Sequence, residues 1–304
     1  MNRRDFLGTS LAAAVSLGAS KPHWRFPTEP RKRLAVSSYP FRSVMQKIHA
    51  GGGEGSADGM TLEQFAATIA PKLGVPGIEP WSRHFKSTDP DYLRGLKSAF
   101  QKAGLHVVNI PVDIRVTLCG SATEREAGLA DYHKWVDAAA MLGSPSIRVH
   151  LPHGEKGGDN SCAVESLKAL AAYGESKSIV INVENDNPDT EQPERIVEVL
   201  KAVNSPFLRS LPDFCNSMAI HDDEQYNEKA LSTLFPLAYN ISHVKDLEQD
   251  ENKVYRVNVE RIFAVAKRAH YAGYFSMEWE GRGDPYEGTG KLIEASLKSL
   301  AVRS

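Results

Sequence analysis

The chain has 304 residues, of which 41% are hydrophobic and 24% are charged, and its formal net charge is −2 at pH 7. This length suits one large domain or two small ones, and the near-neutral charge, with no basic block after the N-terminus, does not indicate binding to nucleic acid or to an anionic membrane surface. After the N-terminus, no segment approaches the run of roughly 18 apolar residues that a transmembrane helix needs.

The first twenty residues, MNRRDFLGTSLAAAVSLGAS, have the features of an export signal. Arg3 and Arg4, followed by Asp5 and Phe6, resemble the twin-arginine signature, and an Ala-rich apolar run comes next. The alternative interpretation is an amphipathic N-terminal helix. We expect residues 1–20 to be the export signal, residues 21–33 to be a linker, and the protein to reach the periplasm by the twin-arginine route.

After about residue 33, short apolar and β-branched runs alternate with longer segments of helical periodicity. The spacing between the starts of successive runs is typical of one βα unit. The predicted strands are residues 34–39, 77–81, 106–112, 146–151, 179–184, 208–214, 239–246 and 274–280.

The segments between these strands carry the signals of helix ends. Thr61 and Gln64 form the S/T-x-x-E/Q pattern of a capping box at the start of one helix. Gly74, Gly104 and Gly273 each stand just before a predicted strand, where a helix commonly ends. A last helix is predicted around residues 289–302.

Eight alternating βα units predict an α/β fold, a (β/α)8 TIM barrel that forms a single domain over residues 34–304. The alternative is an open doubly wound sheet, but no Gly-rich phosphate fingerprint follows the first strand. The glycine cluster at residues 50–59 is better interpreted as a loop at the mouth of the barrel.

Alternate residues of a barrel strand face the barrel axis, so strand periodicity identifies the inward side chains. In the strand at 179–184 the last inward residue is Glu184, and in 274–280 the inward set includes Glu278 and Glu280. Arg148 and His150 face inward in 146–151. Because active sites of this barrel form at the carboxyl ends of the strands, we expect these residues at the functional face.

Asp213 and His243 end the two strands between those of Glu184 and Glu278. Together these four residues give one ligand from each of four consecutive strands. Three carboxylates and one imidazole make a hard, mostly oxygen site, which suits Mn²⁺ or Mg²⁺ best, with Co²⁺ or Zn²⁺ as alternatives. Glu280 shares the inward parity and is the alternative to Glu278.

Five segments resemble the xylose isomerase-like TIM barrels, also called the sugar phosphate isomerase/epimerase family: LGVPGIEPW, INVEN, LPDFCN, SHVKD and YFSMEWEG. The resemblance covers nearly all of the chain after the N-terminal signal. It implies the same four metal ligands, with Glu278 at the position of the family's strand-8 glutamate. The chain departs from many relatives in the run ENDNP, where Asp186 replaces a histidine, so substrate contacts cannot be carried over from one relative.

The resemblance implies a metal-dependent sugar isomerase or epimerase that acts through an enediolate, with Glu184 and Glu278 as the acid/base pair. We expect a non-phosphorylated sugar or keto-sugar as the substrate. The predicted substrate-binding residues are Arg148, His150, Lys245, Glu79, Asn109 and Trp81. An equally good interpretation of Arg148 is the internal partner of a carboxylate. Lys245 could equally pair with Asp246 or Glu280, and Trp81 could equally pack against loops.

The fold allows three alternative functions. A dehydratase or lyase of keto-sugars or inososes would use the same metal, and a non-catalytic carbohydrate-binding barrel would lack turnover. An endonuclease on abasic DNA would need more histidine ligands and a basic groove. The expected partner is a small carbohydrate, not nucleic acid and, after export, not a membrane; a homo-oligomer is compatible with the sequence.

Three cysteines, Cys119, Cys162 and Cys215, allow one bridge and one free thiol. Their wide spacing matches no metal motif. We expect them to be ordinary small buried residues.

Overall fold

The computed structural model describes residues 21–48, 55–153, 160–249 and 253–301, and the predicted export signal lies outside these residues. The strands are β1 (Leu34–Ser37), β2 (Gly77–Glu79), β3 (His106–Val107), β4 (Ser146–Val149), β5 (Val180–Glu184), β6 (Leu208–Leu211), β7 (Ile241–Val244), β8 (Leu247–Gln249), β9 (Val254–Arg256) and β10 (Tyr274–Met277). The helices are α1 (Leu62–Leu73), α2 (Pro90–Lys102), α3 (Ala122–Leu142), α4 (Ser161–Lys177), α5 (Pro193–Val203), α6 (Met218–His221), α7 (Glu224–Leu234), α8 (Val259–Arg268) and α9 (Pro285–Ala301).

Eight parallel strands form a closed barrel, which confirms the predicted fold. One sheet runs β3-β2-β1-β10-β7 and another runs β4-β5-β6. Backbone hydrogen bonds join them at both edges: Arg148 N donates to Ile110 O at 2.9 Å, and His243 N donates to Pro212 O at 3.1 Å. All carboxyl ends of the strands therefore meet at one end of the barrel.

A helix follows each barrel strand, and several predicted helix signals are present. Thr61 and Gln64 form the capping box of α1, and Gly74 ends that helix in the left-handed region, with φ 62°. The prediction for Gly273 is wrong, because α8 ends at Arg268 and His270 takes the positive φ of 54°. None of the helices in the described ranges is both long and apolar enough to cross a bilayer.

Alternation along the strands separates two environments. In β5, Ile181 and Val183 pack in the apolar layer between strands and helices, whereas Asn182 and Glu184 face the axis. A small apolar cluster fills part of the interior, built from Ala35, Val108, Leu211 and Ile241. Polar residues occupy the rest of the axis toward the carboxyl ends.

A β-hairpin that the sequence analysis did not predict lies between β7 and α8. Its strands β8 and β9 pair antiparallel, with Leu247 opposite Arg256 and Gln249 opposite Val254. The hairpin follows directly from a barrel strand, so it stands at the end of the barrel where the functional residues gather.

Residues 21–33, predicted to be a linker, contact the opposite end of the barrel. Trp24 N donates to Tyr239 Oη at 2.8 Å, and the ring of Phe26 lies edge-on to the rings of Tyr239 and Tyr274. Arg33 donates to the Gly273 carbonyl at 3.0 and 3.1 Å. This segment is therefore attached to the amino-terminal face of the barrel.

A disulfide joins Cys119 to Cys162, and Cys215 is a buried free thiol. The expectation that all three cysteines are ordinary buried residues is therefore wrong for two of them. Cys119 precedes α3 and Cys162 lies in the first turn of α4. The two helices are neighbours on the outside of the barrel, and this brings the Cα atoms to 5.4 Å.

Replacing both bridged cysteines in the Cys119→Ser/Cys162→Ser variant should lower the free energy of unfolding by roughly 2–4 kcal/mol, because the unfolded chain then loses a long closed loop. Urea unfolding with and without reductant measures the effect. Reductant should destabilise the wild type and leave the double variant unchanged. The Cys215→Ala variant is the control and should respond to reductant as the wild type does; equal responses from all three proteins would contradict the bridge.

Candidate metal centre

Four side chains converge at the carboxyl ends of β5, β6, β7 and β10. Glu184 ends β5, Asp213 follows β6, His243 lies in β7 and Glu278 follows β10. One ligand atom from each lies within 4.8 Å of the others, and all four side chains are buried. These are the four residues that the sequence predicted as metal ligands. Glu280, the alternative to Glu278, instead accepts a hydrogen bond from Lys245 Nζ at 2.5 Å.

Asp213 is held by the turn that follows β6. Its Oδ1 accepts hydrogen bonds from the backbone N–H groups of Cys215 and Asn216, both at 2.8 Å. Its own N–H donates to Asn185 Oδ1 at 2.8 Å. The second oxygen, Oδ2, is buried and has no hydrogen-bond partner, and the ammonium group of Lys245 lies 3.8 Å from it. A buried carboxylate oxygen without a donor is unfavourable, so Oδ2 of Asp213 is available to bind a metal ion.

The His243 imidazole lies between carboxylates on both sides. Nδ1 is 2.7 Å from Glu184 Oε1 and 3.1 Å from Glu278 Oε2, and Nε2 is 3.0 Å from Glu79 Oε1. Burial alone would lower the pKa of His243, but Glu184, Glu278 and Glu79 outweigh it and hold the pKa well above its usual value. The surroundings of Nδ1 thus favour positive charge, which a divalent cation would also supply.

Lys245 is the second cation beside this cluster. Its Nζ lies 3.4 Å from Glu278 and 3.8 Å from Asp213, and it donates to Glu248 at 3.1 Å. Burial would raise the pKa of Glu278, but His243 and Lys245 outweigh burial and keep it below its usual value. Glu278 is therefore a carboxylate at neutral pH.

Arg148 lies under Glu184 on the neighbouring strand. Its Nε is 3.0 Å from Glu184 Oε2, and its Nη1 is 2.5 Å from Asp113 Oδ1. Only 7% of the side chain is exposed. Of the two interpretations of Arg148, the structure shows the internal partner of a carboxylate.

His150 belongs to a second group of ligating side chains, with Asp186 and Glu191. Burial and Arg148 would lower its pKa, but hydrogen bonds to Asp113 and Glu191 outweigh them and raise the pKa of His150 to about 10. Asp113 and Glu191 thus favour the imidazolium form, and Arg148 Nη1 lies 3.0 Å from Nε2 of His150. Arg148 and His150 lie against the carboxylates of Asp113 and Glu191, so the structure shows an ion-pair cluster at the mouth of the barrel.

Three predicted substrate-binding residues, Glu79, Asn109 and Trp81, are buried away from the protein surface. Glu79 and Asn109 are fully buried, and Glu79 lies on the far side of the His243 ring from Glu184 and Glu278. Trp81 is 4% exposed, and its Nε1 donates to Asp113 Oδ2 at 2.6 Å. All three side chains are buried, and their contact with substrate stays a prediction.

The structure adds residues that the sequence analysis missed. Asp113, Glu191 and Glu248 lie in loops or in the hairpin, outside the eight-strand pattern. The hairpin had a detectable signal, since the polar run QDENK separates the two short strands VKDLE and VYRV. Asp113 and Glu191 have no periodic signal, because each follows a barrel strand by several residues.

The family model described as xylose isomerase-like TIM barrel matches residues 67–301 of the chain. No curated protein sequence shows a significant match to the chain.

Several solved structures share the fold. A xylose isomerase-like TIM barrel protein from Mycobacterium smegmatis, solved in complex with magnesium, is 17% identical, with 88% of this chain and 98% of that chain covered and a TM-score of 0.66. D-psicose 3-epimerase, solved in the presence of D-fructose, is 18% identical, with 88% and 97% covered and a TM-score of 0.65. The 3-keto-D-glucoside 4-epimerase from E. coli is 16% identical, with 86% and 97% covered and a TM-score of 0.64.

The Asp213→Asn variant should lose most of its bound divalent metal. The amide oxygen can still accept the two backbone hydrogen bonds, but an NH₂ group then replaces the unpartnered oxygen that would face the ion. Metal content after desalting, measured by elemental analysis, tests this expectation. The matched control is Asp131→Asn, since Asp131 pairs with Lys134 on the surface. Equal metal content in both variants would argue against the proposed ligand set.

Proposed function

The chain belongs to the xylose isomerase-like TIM barrel family, and from that premise we propose that it is a metal-dependent isomerase or epimerase of a small sugar. The observation that carries the proposal is the convergence of Glu184, Asp213, His243 and Glu278 within 4.8 Å at the functional face of the barrel. The likeness to sugar epimerases of the same fold supports it.

Mn²⁺ or Mg²⁺ would suit the three carboxylates and one imidazole best, with Co²⁺ or Zn²⁺ as alternatives. A divalent cation held by these residues would polarise the substrate carbonyl and stabilise the negative charge of the enediolate. The magnesium complex of the M. smegmatis protein supports a divalent ion in this fold.

Glu184 and Glu278 are the proposed acid/base pair. They reach the site from β5 and from the end of β10, and both lie next to Nδ1 of His243. One of the two, as a carboxylate, would accept the proton from the carbon next to the carbonyl, and the other, as a carboxylic acid, would give a proton to the opposite face or to the neighbouring carbon. Proton exchange with water would then restore the starting protonation states. Arg148 beside Glu184 and Lys245 beside Glu278 would stabilise the negative charge that develops on the substrate.

The cavity next to the four ligands indicates the substrate class. It has a volume of about 270 Å³, and its lining includes Tyr39, Asp186, Asn216, Lys245, Glu248 and Glu280. Three of these side chains are carboxylic acids, and the single lysine already contacts Glu248 and Glu280. Such a lining would repel a phosphate and can accept hydrogen bonds from hydroxyl groups. The pocket therefore favours a non-phosphorylated sugar or keto-sugar.

We also propose export by the twin-arginine route to the periplasm. The Cys119–Cys162 bridge supports the proposal, because disulfides persist in oxidising compartments. That route carries folded proteins, so the metal would be taken up in the cytoplasm before export.

The full chain, supplied with Mn²⁺ in D₂O, should exchange one carbon-bound hydrogen of its substrate for deuterium, because the reaction removes a proton next to a carbonyl. A panel of neutral ketoses, aldoses, keto-sugars and inososes, together with phosphorylated ketoses, would be followed by NMR and mass spectrometry. Glu184→Gln and Glu278→Gln should abolish exchange. Glu260→Gln makes the same chemical change on the surface and should leave exchange intact.

Other outcomes separate the alternatives. Full activity in both site variants would refute the assigned acid/base roles. A product that has lost water or an aglycone would identify a dehydratase or lyase. Sugar binding without exchange would identify a binding barrel, and a preference for phosphorylated sugars would contradict the substrate class inferred from the pocket.

Replacing both signal arginines, in Arg3→Lys/Arg4→Lys, should retain the protein in the cytoplasm, because the twin-arginine route requires this pair. Cell fractionation of the producing bacterium measures the effect. The control is Arg94→Lys/Arg125→Lys, which alters two arginines of the folded domain and should leave export unchanged. Equal periplasmic amounts of both variants would rule out this route.

A further inference from the structure

A row of fully buried polar side chains crosses the barrel beneath the metal centre. Its members lie, in order, on β5, directly before β7, on β4, two residues after the end of β3, and on β2. In order, its members are Asn182, Asn240, Ser146, Asn109 and Glu79, each with 0% exposure. Successive polar atoms lie 3.2, 2.8, 2.5 and 2.8 Å apart.

The surroundings of the row determine the direction of its hydrogen bonds. Asn240 Nδ2 also lies 3.1 Å from the backbone carbonyl of Val108, and a carbonyl can only accept, so this atom must be the amide nitrogen. The same nitrogen donates to Ser146 Oγ, which leaves the single hydroxyl hydrogen of Ser146 for Asn109 Oδ1. Asn109 therefore presents its NH₂ group to Glu79 Oε1.

Every donor in the row thus points toward Glu79, starting from Asn182 Nδ2, which donates to Asn240 Oδ1. Hydrogen bonds aligned in one direction polarise one another, and this favours an acceptor at the end of the row. Glu79 Oε1 is that acceptor, and it also lies 3.0 Å from Nε2 of His243.

Carboxylates face both ring nitrogens of His243, so without a metal ion each nitrogen can carry a hydrogen. A nitrogen that binds a metal gives up its hydrogen, and the ring hydrogen that remains is then on Nε2, where Glu79 accepts it. A neutral imidazole has one N–H group, and its other nitrogen then has a free lone pair. That nitrogen is Nδ1, which faces Glu184 and Glu278 at 2.7 and 3.1 Å. We propose that Glu79 is a positioning residue, oriented by the buried row, which holds His243 in the tautomer that presents Nδ1 to the metal.

This inference rests on the metal-dependent function proposed above, and it gives a role to a residue that is fully buried behind the His243 ring. A carboxylate behind a ligating histidine orients the ring and raises the basicity of the ligand, and its loss typically lowers metal affinity about 10–100-fold.

Mn²⁺ binding to the full chain, measured by calorimetry, tests the proposal. Glu79→Gln keeps the size of the side chain and an oxygen for both donors, but it removes the negative charge. We expect its dissociation constant for Mn²⁺ to rise about 10–100-fold, with cooperative thermal unfolding retained. Asn109→Ala interrupts the row without touching His243 and should weaken binding by a smaller factor. In the Co²⁺-loaded wild type, proton NMR should show a slowly exchanging, hyperfine-shifted imidazole N–H.

The control is Ser166→Ala. Ser166 is equally buried, and its Oγ donates to the Leu118 carbonyl, but it lies on α4 outside the row. This variant should lose stability and keep the Mn²⁺ affinity of the wild type. Unchanged affinity in Glu79→Gln, with normal binding by the wild type, would overturn the role of Glu79 alone. A wild type that binds no divalent ion would overturn the metal centre and the role of Glu79 with it.

Discussion

The functional end of the barrel depends on balancing the negative charge of several acidic side chains that are buried next to one another. Glu184, Asp213 and Glu278 have ligand atoms within 4.8 Å of one another, where uncompensated carboxylates would be strongly unfavourable. Arg148 and Lys245 supply positive charge from two sides of this group. Nδ1 of His243 and the buried oxygen of Asp213 that lacks a hydrogen-bond partner both lie in this group. One divalent ion bound to them would supply the remaining positive charge.

Much of this arrangement could be predicted because it follows from local rules. The two-residue period of a strand determines which side chains face the axis, and it placed Glu184 and Glu278 there. Parallel strands all end at the same face, so strand-end residues from neighbouring strands had to converge. The capping box at Thr61 and the helix end at Gly74 could likewise be predicted, because each depends on residues within one helical turn.

The rest depends on contacts that no local pattern encodes. Glu79 has the same inward parity as Glu184, but periodicity does not tell how far along the barrel axis each strand is staggered, so the depth of Glu79 behind the His243 ring could not be predicted. Asp113 reaches the cluster from an irregular loop. Cys119 and Cys162 become neighbours only because α3 and α4 pack side by side, which the sequence separation conceals.

The attachment of Trp24, Phe26 and Arg33 to the amino-terminal face has a practical consequence for how the molecule can be handled. The described polypeptide enters the barrel from the end opposite the proposed sugar pocket. An affinity tag or a solid support joined to this segment would therefore lie at the amino-terminal face, while the mouth stays open to diffusing small molecules. Immobilisation through that end should leave the path of small molecules unobstructed.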